Sequence, residues 1–399
     1  MSINHTEEAE VQPAFAVEAS SLDNSLEKAS KDPSNADFWR VLAVQRELPS
    51  ASKSLRICRL RAFHGRKSLD YVLADDARIE GLFLCRSPMC AACMVERTRA
   101  TAEVLEGALV VAAKRKYEVR FGTLTLQSGG EVADQRKTLL TSFQRFSKRL
   151  SGIAKEQGVE ESGFAWSFDI TCKKNSKGEL KAHVHMHFLW FVSSSVVLSQ
   201  DDAFNVYARV VKNIKGSGYF LSKNAFYLNV VRNEEAEYKK VSKYVSKFIK
   251  SAYEVANSSG KAFGLRSLIV RAIGDKDAFN LYNEIVGAFV GNNWSSVGKL
   301  ASKLAELYEE EPVEPAEEPE EFRVSVLPIL HQVLVERNAV HLLFESMKLH
   351  SDTEALRSVF VASICDICSL IENIEEQYTY SDKVLFIERM MLEHLGIQI

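Results

Sequence analysis

The sequence has no run of about 18 uncharged apolar residues, so it predicts no transmembrane helix. Its first ten residues, MSINHTEEAE, are acidic and contain no apolar signal core, so we expect a cytoplasmic protein rather than a secreted one. Seven cysteines in 399 residues are too few for a disulfide scaffold, and in a reducing cytoplasm their spacing indicates core packing or metal binding. No phosphate-binding loop motif (GxxxxGK followed by Ser or Thr) is present, so nothing supports an ATP-driven motor in this chain.

Charge is distributed unevenly along the chain. The net charge is only −3, and an apolar fraction of 46% is typical of a globular protein. Residues 51–300 carry 39 basic and 24 acidic side chains, whereas residues 301–399 carry 7 basic and 20 acidic ones. A basic middle between acidic ends predicts a core that binds a polyanion, with nucleic acid as the first candidate. The alternative is a solvated basic surface that has no partner.

Composition and periodicity divide the chain into five regions. Residues 1–35 are polar and acidic and predict a disordered tail, and residues 36–115 hold clustered cysteines followed by a helical segment. Residues 116–305 alternate between strand and helix patterns. Residues 306–322 include EEEPVEPAEEPEEF, which predicts an extended linker, and residues 323–399 predict a helical domain.

The segment KAHVHMHFLW places His183, His185 and His187 at alternate positions. Alternate side chains of a strand project from one face, so the three imidazoles are expected to share that face and to bind one divalent cation. Asp169, in SFDIT, precedes a predicted hairpin turn at Gly178 and would lie near the histidines if the two strands pair antiparallel. A carboxylate beside imidazoles favours Mg or Mn. The alternatives are histidines on a solvated face and an aspartate at a strand edge.

The segment EEAEYKKVSKYVSKFIKSAY predicts an amphipathic helix in which Tyr244 lies between an apolar stripe and a basic arc. Nearby cations favour the phenolate, so this tyrosine is a candidate nucleophile. The alternative is a boundary tyrosine with its hydroxyl in water. The lysines of the basic arc, which can hold DNA phosphates, are Lys239, Lys240, Lys243, Lys247 and Lys250.

The cysteine-rich segment CRSPMCAACMVER contributes Cys85, Cys90 and Cys93, and Cys58 precedes it in a basic context. Four thiolates predict a closed tetrahedral zinc site, which supplies folding energy rather than chemistry. His64 is the alternative to Cys58 as the fourth ligand. Buried cysteines without a metal are the remaining possibility.

Together these segments resemble the plasmid rolling-circle replication initiators, or Rep proteins, of the HUH endonuclease superfamily. CRSPMCAAC is similar to the cysteine motif of that family, and FGTLTL is similar to its first core strand. FDIT with HVHMHFL is similar to its metal-binding pair, and KVSKYVSK is similar to its tyrosine motif. The resemblance covers roughly residues 54–260.

The resemblance implies an α+β fold, in which a central antiparallel sheet with flanking helices, the HUH-type core, lies between an N-terminal zinc-binding module and a C-terminal helical module. It implies a Mn or Mg ion held by His185 and His187 with Asp169 or His183, and structural zinc on the four cysteines. It also implies that Tyr244 attacks the scissile phosphate of single-stranded origin DNA. The products would be a 5′-phosphotyrosine and a free 3′-OH that primes synthesis.

Many members of the family carry an acidic residue four positions before the tyrosine, where it assists termination. That position is Lys240 in this chain, whereas Glu234 stands four positions before Tyr238. Tyr238, Lys240, Lys247 and Glu234 are therefore candidates for auxiliary roles.

The implied partners are single-stranded and hairpin origin DNA and a host helicase, without a membrane. The acidic C-terminal domain is a candidate for self-association. Two other functions remain open: an HUH relaxase or transposase, and a non-catalytic, zinc-containing regulator that binds nucleic acid.

Overall fold

The structure is a computed structural model with an α+β fold, in which antiparallel sheets are flanked by helices. This architecture confirms the predicted α+β class, with antiparallel sheets and flanking helices. The residues that the structure describes are 36–63, 66–74, 77–87, 89–126, 130–216, 221–245, 263–272, 274–308, 321–373 and 379–398. The predicted tail, 1–35, and residues 309–320 of the predicted linker lie outside them. None of the described helices combines the length and the apolar character that a membrane crossing requires.

The secondary structure alternates between strands and helices along the chain. The strands are β1 Leu69–Leu73, β2 Arg78–Glu80, β3 Tyr117–Thr125, β4 Gly163–Lys174, β5 Leu180–Ser193, β6 Phe226–Val230, β7 Phe263–Gly264, β8 Ser295–Ser296 and β9 Phe322–Val326. The helices are α1 Ala36–Glu47, α2 Lys53–Arg56, α3 Ala91–Lys114, α4 Val132–Glu156, α5 Gln200–Lys215, α6 Glu235–Val245, α7 Leu265–Arg271, α8 Lys276–Phe289, α9 Lys299–Ala305, α10 Pro328–Glu336, α11 Val340–Leu349, α12 Glu354–Glu372 and α13 Tyr380–Leu395.

The larger sheet has the strand order β6-β3-β5-β4-β7, with β8 added to β4. Strands β4 and β5 form the hairpin predicted around Gly178, which has a φ of +79°, a conformation that favours glycine. One face of β5 presents Met186 and Phe188, both fully buried in the main core beneath α4. Gly122 on β3 leaves room for the ring of Phe188, because a Cβ at that position would overlap the ring.

The opposite face of the larger sheet is covered by a second helical layer at one end. Leu189 and Phe191 of β5 are fully buried there with side chains of α3, α6 and α9. Towards the Gly178 turn the same face of β5 continues with the three histidines, since residues of one strand face recur at every second position. We call this polar part of β3, β4 and β5 the histidine face.

The smaller sheet joins the cysteine region to the C-terminal region. Its strand order is β2-β1-β9, and β9 pairs antiparallel with β1. The sequence analysis predicted only helices from residue 323 onwards, but FRVSV is a strand, in which buried and exposed positions alternate. The Nδ1 atom of His331 on α10 lies 2.6 Å from the hydroxyl of Tyr71 on β1, which adds a buried contact across the same junction.

Candidate metal centres and the histidine face

The four predicted cysteines meet at the N-terminal end of α3. Cys90 is the N-cap residue of this helix and Cys93 lies in its first turn. The Sγ atom of Cys58 lies 3.4 Å from that of Cys93 and 3.5 Å from that of Cys90, and Cys85 lies 3.7 Å from Cys93. A tetrahedral zinc with bonds of about 2.3 Å separates its sulfur ligands by about 3.8 Å. These four cysteines can therefore hold a metal ion such as zinc; His64, the alternative ligand, lies outside the described residues.

The surroundings of the cysteine cluster supply hydrogen-bond donors to sulfur. The backbone N–H of Cys85 donates to Cys58 Sγ at 3.4 Å, and the side-chain amide of Gln45 donates to Cys90 Sγ at 3.6 Å. Hydrogen bonds to the three other thiols, together with burial, raise the pKa of Cys85 above its usual value. Four thiolates in this space consequently require a cation to balance their charge.

Strand pairing brings Asp169 to the histidine face, as the sequence analysis expected for an antiparallel hairpin. Asp169 is the register partner of His185 on the neighbouring strand. Its Oδ2 atom lies 3.5 Å from Nε2 of His187, and both side chains are buried. A donor separation of this size suits two ligands of a single cation with bonds of about 2.1 Å.

Two threonines of β3, which the sequence analysis did not single out, orient the histidines. The hydroxyl of Thr123 lies 2.9 Å from Nδ1 of His187, and the hydroxyl of Thr125 lies 2.9 Å from Nδ1 of His185. A hydrogen bond at one ring nitrogen fixes the orientation of the imidazole and leaves the other nitrogen for a ligand. The alternation of FGTLTL indicates that both threonines share one face of a strand, but it does not indicate that this strand pairs with the histidine strand.

The three histidines differ in what their remaining nitrogens contact. Nε2 of His183 donates to the carbonyl oxygen of Leu126 at 2.8 Å, so this nitrogen carries a proton and is not available to a cation in this conformation. Nε2 of His185 lies 3.1 Å from the hydroxyl of Thr171. Burial, followed by the charge of His183, lowers the pKa of His185 to about 3, so its imidazole is neutral at pH 7.

The predicted donors His183, His185, His187 and Asp169 are not gathered as tightly as the cysteines. Across the described ranges, the four cysteines are the only group in which three or more ligand atoms lie within 4.8 Å of one another. The approach of His187 to Asp169 is the part of the predicted site in which two donor atoms lie close together.

Helix α6, which carries the predicted tyrosine, reaches the histidine face with its last described residue. The hydroxyl of Ser167 donates to the carbonyl oxygen of Val245, the last residue of this helix that the structure describes. Ser167 is the register partner of His187, so the helix end lies one strand away from that histidine. Tyr244 precedes Val245 in the helix; the structure does not describe the side chains of Tyr244 and Lys243.

The other residues predicted near the tyrosine are distributed as follows. Lys239, Lys240 and Glu234 are exposed. Tyr238 is buried in the second helical layer, and its hydroxyl donates to Oδ1 of Asn233. Lys247 and Lys250 lie outside the described residues.

No protein-family model, curated protein or solved structure matches this chain. A functional assignment therefore depends on the chemistry of the two sites described above. The cysteine cluster is closed, buried for the most part, and suited to structure. The histidine face combines imidazoles, a buried carboxylate and a nearby turn of the tyrosine helix, which is a combination suited to binding a divalent cation and a phosphate.

Proposed function

We propose that this protein is a replication initiator of the rolling-circle type, which nicks and rejoins single-stranded DNA through Tyr244. The observation that carries the proposal is the hydrogen bond from the hydroxyl of Ser167 to the carbonyl oxygen of Val245. It attaches the last described turn of the tyrosine helix to the strand position beside His187. A nucleophile and a phosphate-polarising cation must act at one phosphorus atom, and this contact supports their proximity.

His187 and Asp169 would hold the cation. His185 would be the third ligand once its Nε2 atom no longer contacts the hydroxyl of Thr171. Neutral imidazoles and a carboxylate suit Mn or Mg. Bound there, the cation would neutralise charge on the scissile phosphate. The protein contributes the orientation of the imidazoles through Thr123 and Thr125.

The covalent step is a transesterification. The phenolate oxygen of Tyr244 forms a bond to phosphorus, and the bond from phosphorus to O3′ of the preceding nucleotide breaks. The departing O3′ takes up a proton and becomes a 3′-OH, while the 5′-phosphate stays on the tyrosine. Because one phosphodiester replaces another, the reverse reaction can rejoin the strand without an energy source.

Tyr244 suits the nucleophilic role better than Tyr238. Burial raises the pKa of Tyr238 and so disfavours its phenolate. Its hydroxyl is also engaged by Asn233. These contacts give Tyr238 a packing role in the helix that carries Tyr244.

Structural zinc is the metal that we propose for the cysteine cluster. The cluster lies at the start of α3, and the distal part of this helix packs against α6 in the second helical layer. Zinc would thereby hold the helix that supports the tyrosine helix, without taking part in the reaction.

The test is incubation of the full chain with a pool of randomised single-stranded oligonucleotides and Mn, followed by mass spectrometry of denatured protein. We expect a covalent adduct on Tyr244 that is lost in Tyr244→Phe and retained in Tyr238→Phe. EDTA should abolish the adduct, and added Mn or Mg should restore it. An adduct of normal yield in Tyr244→Phe would refute the assignment.

The hydrogen bonds of His185 favour a second candidate, a zinc-containing regulator that binds nucleic acid without cleaving it. Both ring nitrogens of His185 contact threonine hydroxyls, an arrangement that is satisfied without a metal. This candidate predicts that affinity for nucleic acid depends on salt and that removal of cations from the histidine face by EDTA does not change it. It also predicts that no covalent adduct forms.

A further inference from the structure

An exposed aromatic side chain lies at the margin of the histidine face. Tyr227 is on β6, which forms one edge of the larger sheet in the part of the chain that the structure describes. This residue is 42% exposed. Its register partner is Thr123, the residue that hydrogen bonds to His187, so Tyr227 and His187 flank the same position of β3 on one face.

Three rings form a row that runs from His187 through Phe121 to Tyr227. The ring of Phe121 is stacked on that of His187 with centroids 5.9 Å apart, and it lies 6.0 Å from the ring of Tyr227. Asn229, which is exposed on the same strand, donates its side-chain amide to the Tyr227 hydroxyl at 2.7 Å. The tyrosine is thus supported on one side by an aromatic ring and at its tip by an amide.

We propose that Tyr227 is the platform on which an unpaired base of the DNA strand stacks beside the scissile phosphate. The inference rests on the proposed function, since it places the base next to the cation site. An aromatic ring offers a face to any base, and such stacking is the usual source of affinity for single strands. Asn229 adds an amide that can bond to the edge of the stacked base.

Charge favours a nucleic acid over a protein as the occupant of this surface. Residues 51–300, which include the histidine face and Tyr227, carry 39 basic and 24 acidic side chains. Helix α6 covers the same side of the sheet as the histidine face and carries the exposed Lys239 and Lys240. An exposed aromatic ring and lysines on the same side of a sheet suit the bases and the phosphates of a single strand, respectively.

The experiment measures the affinity of Mn-free Tyr244→Phe protein for a single-stranded oligonucleotide by fluorescence anisotropy. In that background Tyr227→Val removes the ring but keeps a residue that favours strands, and Tyr227→Phe keeps the ring. We expect a rise in Kd of about 5- to 150-fold for Tyr227→Val and little change for Tyr227→Phe. Tyr380→Ala, at a tyrosine that is 44% exposed in the acidic C-terminal region, is the matched control and should bind normally.

Abasic nucleotides then identify the contacted base. With the Tyr227 side chain present, one abasic position in the oligonucleotide should weaken binding as much as Tyr227→Val does, and the two changes together should weaken it no further. Unchanged affinity in Tyr227→Val would overturn the inference. The inference would also be overturned if the loss of affinity caused by Tyr227→Val added in full to the loss caused by the abasic nucleotide at every position tested. If no adduct forms on Tyr244 but this pattern holds, the proposed function fails and the stacking site stands.

Discussion

Thr123 and His187 are joined across neighbouring strands by a 2.9 Å contact between the threonine hydroxyl and Nδ1 of the imidazole. Thr125 makes the same contact with His185 two positions along both strands. Repetition at this spacing shows that β3 holds the two imidazoles in a common orientation, with each Nε2 atom directed away from β3. Strand β3, to which the sequence analysis assigned no site residue, is therefore part of the candidate site.

Replacement of the Thr123 hydroxyl should weaken cation binding at the histidine face. Thr123→Val keeps the shape of the side chain but leaves His187 without its orienting partner. Loss of such a partner typically lowers metal affinity about 10- to 100-fold. Titration of Mn into zinc-loaded protein, followed by electron paramagnetic resonance, measures the affinity directly. Thr123→Ser keeps the hydroxyl and should bind Mn normally, whereas normal binding by Thr123→Val would remove Thr123 from the site.

The cysteine cluster predicts one tightly bound zinc per chain that contributes to stability. Cys90→Ser removes a buried ligand at the N-cap of α3, so we expect loss of the zinc and a lower Tm. Elemental analysis and thermal unfolding measure the two effects. Cys365→Ser is the control, because Cys365 is exposed and lies outside the cluster. Zinc-free wild-type protein with an unchanged Tm would contradict the prediction.

Two parts of the site were predictable because they depend on local spacing. The alternation in HVHMH determines which face of β5 carries the imidazoles, and the Gly178 turn brings Asp169 alongside them. The threonine contacts depend on the register between β3 and β5, strands that are separated by a whole helix and another strand. Short-range patterns contain no information on that register, so Thr123 and Thr125 could not be assigned from the sequence.

Strand β9 is an element of the fold that short-range sequence patterns likewise failed to predict. Its five residues alternate between buried and exposed positions, but the apolar helices that follow dominated the prediction for this region. What makes it a strand is pairing with β1, from Leu69 opposite Val326 to Leu73 opposite Phe322. A pairing across most of the length of the chain leaves only a weak local signal.

Buried His331 predicts that stability falls in mild acid. Burial lowers its pKa to about 4, whereas the unfolded chain titrates near 6.5. The unfolded state therefore binds a proton that the folded state does not, so the free energy of unfolding decreases as pH falls below about 6.5, and the loss continues down to about 4. Between pH 7.5 and pH 5.5 the contribution of His331 is about 1.4 kcal/mol.

Urea unfolding of wild-type protein and of His331→Gln at these two pH values isolates that contribution. Glutamine can keep a hydrogen bond to Tyr71 but does not titrate, so the variant should lose less stability between the two values than the wild type does. Equal losses in both proteins would show that His331 is protonated to the same extent in the folded and unfolded states.

The attachment of α6 to the histidine face predicts a rate effect that is separate from affinity. Ser167→Ala removes the donor to the Val245 carbonyl and releases from β4 the helical turn that contains Tyr244 and Val245. A displacement of about 1 Å at a reacting group can slow a reaction about 100-fold, so we expect slower nicking at saturating DNA with an unchanged Kd. Hydrogen exchange should show faster exchange of the backbone amides near Val245.

The matched control is Ser147→Ala, which removes a hydroxyl that donates to the Gln144 carbonyl on α4. It should change neither the nicking rate nor the exchange of the amides near Val245. If Ser167→Ala nicks at the wild-type rate while exchange at the helix end increases, the bond does not position the nucleophile.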